Sequence, residues 1–80
     1  MATVNLDSKG RLINIENVEG VNAGLTFHYK SDFSISEGKK SVTGIYVGGE
    51  AVATIQYNSD QSISGVFPGK AKDKVKVNIG

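Results

Sequence analysis

One histidine, eight acidic residues and no cysteine are the raw material for chemistry in this chain. Without a thiol there is no Cys–His nucleophile, and one imidazole cannot build a His/Cys metal cluster. His28 follows Phe27 and precedes Tyr29 in an alternating stretch, so it reads as a solvent-facing strand residue. Asp32 and Asp60 each follow a serine in a turn-like segment. There a carboxylate accepts nearby backbone amides, an Asx role rather than general acid or base work. A phosphate cradle needs GxxxxGK[ST], and Gly69-Lys70 supplies only a fragment of it. No enzymatic activity, cofactor or metal is expected.

Lys70, Lys72, Lys74 and Lys76 recur at every second residue, with Val75, Val77 and Ile79 in the alternate positions further along. With Asp73 they give residues 70–80 a charge of +3 in a chain of net +1. Such a row suits a phosphate backbone and so a nucleic-acid partner. It equally suits an edge strand that uses lysine to prevent pairing with other chains.

Residues 6–15, LDSKGRLINI, resemble the first hairpin of AbrB/MraZ-type transcription factors. That resemblance covers about an eighth of the chain and implies DNA contact through Lys9 and Arg11. The family continues with a proline and a helical segment, whereas Asn14-Ile15-Glu16-Asn17 leads into more strand.

The elements that would position these groups are strands. Val, Ile and Thr account for 20 of 80 residues and Leu for only 3, a bias that favours pleated sheet. Alternation and turn signals place eight short strands near 2–6, 11–17, 24–30, 33–37, 41–47, 50–57, 62–67 and 74–79. Short links between neighbours predict an antiparallel meander that rolls into a small barrel or folds over as a thin sandwich, one all-β domain over 1–80. Residues 29–36 (YKSDFSIS) and 57–64 (YNSDQSIS) agree at six of eight positions, which suggests a 28-residue internal pseudo-repeat.

Turn parity assigns the faces. Two-residue turns at Lys9-Gly10, Gly38-Lys39 and Gly48-Gly49 pair Leu6 with Ile13, Val4 with Ile15, Ile35 with Val42, Val42 with Ile55, and Tyr46 with Ala51. Tyr29 falls opposite Ile35 and Tyr57 opposite Ile63. The expected core face is Val4, Leu6, Ile13, Ile15, Leu25, Phe27, Tyr29, Ile35, Val42, Tyr46, Ala53, Ile55, Ile63, Phe67, Val75, Val77 and Ile79. That leaves Ile45, Val47, Val52 and Val66 together on the opposite face. Either a second layer covers them, or they form an interface with a protein partner or a second copy.

Composition sets the outer limits. Eighty residues with ten glycines, one proline and no disulfide allow one small core, for which association would add buried area. No apolar run approaches the ~20 residues of a membrane span. Residues 1–5 show neither a basic n-region nor an apolar h-region, so the expected location is the cytoplasm or a virion. A mature exported protein recloned behind Met1 would start in the same way.

Overall fold

The computed structural model describes residues 1–20, 24–30 and 40–80. It is all-β: β1 (Ala2–Leu6), β2 (Leu12–Glu16), β3 (Leu25–Tyr29), β4 (Val42–Val47), β5 (Glu50–Tyr57), β6 (Ile63–Pro68) and β7 (Val75–Ile79), with a 3₁₀ turn at Val18–Gly20 after β2. The strand expected near 33–37, the Gly38-Lys39 turn and residue Ile35 lie outside the described residues.

Two sheets form, in the orders β2-β1-β7 and β3-β4-β5-β6. Every pair is antiparallel except β1 with β7, which is parallel and sets Ala2 against Val75, Val4 against Val77 and Leu6 against Ile79. The chain is therefore not a pure meander. After β6 it crosses to the other sheet through residues 69–74, held where Gly69 N–H donates to the Val52 carbonyl (3.0 Å) and Ala71 N–H to the Ala51 carbonyl (2.8 Å). One core draws on both sheets: Ala2, Val4 and Leu6 from β1, Val75 from β7, Val42, Ile45 and Val47 from β4, Val52, Ala53 and Ile55 from β5, with Ala71 of the crossing.

Four register shifts decide which residues reach that core. The first turn holds three residues, because Asp7 N–H donates to the Arg11 carbonyl, and Gly10 takes the left-handed conformation (φ 73°) such a loop requires. Leu6 consequently faces Leu12 rather than Ile13. One extra residue in β2 then restores the expected pairing of Val4 with Ile15 and turns Ile13 out to solvent at 56% exposure.

The Gly48-Gly49 turn behaves as expected. Both residues have positive φ (58° and 82°), and Tyr46 sits opposite Ala51. Beyond it Val52 is an extra residue, so Ile45 faces Ala53, and Val52 and Ala53 are both buried. At the other end of β4, Thr43 is the extra residue against β3. It lets Val42 join Ile45 and Val47 in the core, and Tyr29 falls opposite Val42.

Tyr57 faces Ile63 as expected. Ser64 is then the extra residue, so Val66 falls opposite buried Ile55 and Phe67 opposite Thr54. Phe67, expected inside, stands on the outer face and is 50% exposed; Tyr29 and Ile79, also expected inside, are exposed as well. Each bulge advances one strand by a residue, which exchanges its faces.

Candidate functional site

The most developed polar cluster joins the two sheets. Arg11 bridges Ser41, Val42 N–H donates to the Gly10 carbonyl (2.9 Å), and the buried Ser41 hydroxyl donates to the Lys9 carbonyl (2.7 Å). The Tyr57 hydroxyl donates to the Val42 carbonyl beside them. Asp7 organises the turn below: Oδ1 accepts from the Lys9 and Arg11 amides (2.9 Å each), and Oδ2 accepts from Arg11 Nε (2.7 Å). Burial pushes the Asp7 carboxyl up, but these bonds and the Arg11 charge outweigh it and hold the group below the usual carboxylate range. Burial pushes the Tyr57 phenol up to about 12, against a hydrogen bond with Ser41 that lowers it. A phenol that keeps its proton and a carboxylate whose bonds hold one turn form a clamp between the two sheets.

The outer face of the first sheet is a row of amides. Asn5 Nδ2 donates to Asn14 Oδ1 (2.7 Å) and Glu16 Oε1 (2.8 Å), and Asn78 Nδ2 donates to Asn5 Oδ1 (3.1 Å). The parallel pairing of β1 with β7 brings residues 5 and 78 together, so nothing local in the chain announces this ladder.

On the outer face of the second sheet His28 is exposed, and its ring lies 4.5 Å from that of Tyr46, centroid to centroid. Asp60 caps its own turn, accepting from the Ser62 amide (3.0 Å) and hydroxyl; bonds from Ser62 hold its carboxyl low. Asp32 lies outside the described residues. Among the described residues no three His, Cys, Asp or Glu side chains come together as a metal site, and no helix is long and apolar enough to cross a membrane.

The residues singled out as an interface divide. Ile45, Val47 and Val52 are buried within the chain at 4% exposure or less, so the second layer covers them, the first of the two outcomes weighed above. Only Val66 is exposed, at 41%, on the core side of β6 where that strand ends the sheet. The four lysines are all exposed but do not share one strand. Lys70, Lys72 and Lys74 belong to the crossing, where Lys72 N–H donates to the Gly69 carbonyl and Lys74 N–H to the Ala71 carbonyl; only Lys76 lies in β7.

What the sequence reading overlooked is the edge. Among the described residues β6 is the outermost strand of its sheet, and Pro68 lies in it. Proline in a strand marks an edge, since it has no N–H for a neighbour, and that signal was available from the residues alone. The bond from Gly69 N–H to the Val52 carbonyl sets the alternation along β5–β6. It turns the backbone of Phe67 and Gly65 towards β5 and that of Val66 away from it.

Comparison with protein-family models, curated proteins and solved structures finds no match to this chain.

Proposed function

We propose that this chain is a small non-enzymatic interaction module whose contact surface is the β6 edge, with Val66 and Phe67 as its apolar anchors. The observation that carries this reading is the composition of that edge. From Ile63 to Pro68 it holds no charged residue, as is true of β3 at the other end of the sheet among the described residues, while the outer strands β2 and β7 carry Glu16 and Lys76; β6 adds two adjacent large apolar side chains, Val66 and Phe67, at 41% and 50% exposure. Edges are blunted by charge, proline or bulges; β6 has no charge, and between the Ser64 bulge and Pro68 the Val66 N–H and C=O face outward, a short stretch suited to meeting an extended strand. In this reading the two sheets, tied at Arg11 and Ser41, are the halves of a thin sandwich or small barrel. The 28-residue likeness reflects reused turn chemistry.

The test compares wild type with Val66→Lys, both checked for fold by circular dichroism, in light scattering and in binding to a purified partner recovered from the source lysate. Loss of an association in the variant supports the reading. Identical behaviour of the two proteins in both assays overturns it.

A second reading, a nucleic-acid-binding domain, is favoured by the exposure of Lys70, Lys72, Lys74 and Lys76 within one short segment. Retention of single- or double-stranded probes in low-salt gel shifts, lost on replacing these lysines by glutamine, would support it. No retention would end it.

A further inference from the structure

We propose that the outer face of the second sheet is a binding platform for a neutral oligosaccharide, with Tyr46 and Phe67 as its two stacking rings. This goes beyond the reading of the β6 edge and does not depend on it. Gly44-Ile45-Tyr46 in β4 and Gly65-Val66-Phe67 in β6 repeat one pattern, a glycine two residues before an aromatic. Two residues is the period of one strand face, so each ring shares the outer side with its glycine. A β-carbon on Gly44 would stand 2.7 Å from Tyr46 Cε2, and one on Gly65 would stand 3.1 Å from Phe67 Cζ. Each ring therefore lies back along its own strand, over the glycine, instead of standing up from the sheet. His28, opposite Gly44 on β3, packs against the Tyr46 ring at 4.5 Å between centroids and supports it in that pose.

The class of ligand follows from what surrounds the rings. Thr54 faces Gly44 on one side and Phe67 on the other, and Gln56 faces Gly65, so β5 sets a hydroxyl and an amide between the two ring-bearing strands. With Thr26 and His28 on β3, these groups can donate to and accept from sugar hydroxyls. Apart from Glu50 at the Gly48-Gly49 turn, which lies opposite core-facing Val47, the four strands hold no Asp, Glu, Lys or Arg. Single-stranded nucleic acid also stacks on exposed rings, but it needs cations along its phosphates. Lys70, Lys72 and Lys74 sit instead in the crossing that leaves for the other sheet. The C–H face of a pyranose is uncharged and partly positive, which matches the partly negative face of an aromatic ring. β5 separates β4 from β6, so the two rings stand about 10 Å apart across the sheet, a span for several linked sugars rather than one.

The test is a titration of the isotopically labelled chain, followed by its amide NMR signals, with cellohexaose, xylohexaose, mannohexaose, maltohexaose and chitohexaose, and with oligothymidine as the charged counterpart. At least one hexaose should move the signals of Thr54, Gln56 and Gly65, and its affinity should fall at least about tenfold in Tyr46→Ala and in Phe67→Ala. If Tyr46→Ala fails to fold, Phe67→Ala decides alone, because that side chain is half exposed. Val66→Lys, whose side chain lies on the core side, should keep the affinity, so loss of the β6-edge reading and loss of the platform are separate results. No response to any hexaose at millimolar concentration overturns the proposal, as does a response that neither ring variant weakens. Oligothymidine bound through the same rings, with no hexaose bound, gives the platform to nucleic acid and overturns it too.

Discussion

The hydroxyl of Tyr57 occupies the place where a β-carbon on Gly10 would stand. Gly10 also has a φ of 73°, so two independent constraints meet at one residue: the turn needs the left-handed conformation and the second sheet needs the space. Replacing Gly10 by alanine should cost about 2–4 kcal/mol, from left-handed backbone strain plus overpacking against the ring. Urea denaturation measures this, and a loss below ~1 kcal/mol would show that the ring moves aside freely.

Tyr57→Phe should cost about 1 kcal/mol near neutral pH, through the lost bond to the Val42 carbonyl. The alkaline side tests the same contact. The folded phenol is raised to about 12 from 10.0, so the folded state holds this proton more tightly than the unfolded chain. Its contribution is present below pH 10 and is lost as pH rises from there through 12. Wild type should lose stability over that window, and the phenylalanine variant should show a shallower fall.

Asp7 gives the acid limb. Its folded carboxyl sits below the ordinary 3.8, so its contribution is present above that value and disappears as pH falls through the folded value. Asp7→Ala should cost about 1–3 kcal/mol at pH 7, because the Lys9 and Arg11 amides and the Arg11 guanidinium lose their acceptor. Acid titrations of the two proteins should converge as the wild-type carboxylate protonates.

The bulges predict a contrast between two isoleucines. Ile45→Ala empties a fully buried site and should cost about 2–5 kcal/mol. Ile13→Ala removes an exposed side chain and should stay within about 0.5 kcal/mol of wild type. Parity without bulges gives the reverse ranking, so thermal melts of the two variants separate the registers.

Much of the architecture is legible in the chain alone. The β-branched excess, the alternation and the glycine spacing locate all seven described strands to within a residue or two, and Gly48-Gly49 specifies its turn outright. Ser59-Asp60 is likewise readable as a self-capped turn. The candidate site was less accessible. An unbroken period of two selects Ile45, Val47, Val52 and Val66 as one outward face, whereas the single extra residues at Val52, Thr43 and Ser64 exchange the faces of β4 and β6. Pro68 is the exception, a local mark of an edge that turn parity does not carry.

The amino-acid order alone determined strand content, turn positions and the outward display of charge, because each depends on neighbours a few residues apart. Tertiary structure decided which apolar residues are interior, that β7 joins β1 in parallel across most of the chain, and that β6, without charge, is the outermost strand of its sheet among the described residues. The reason is physical. A bulge costs little locally and is selected by the burial it permits across two sheets, and no residue in β7 carries a local sign of its distant partner. Val66 depends on both levels: its type came from the chain, and its exposed place on the outermost described strand of its sheet came from the fold.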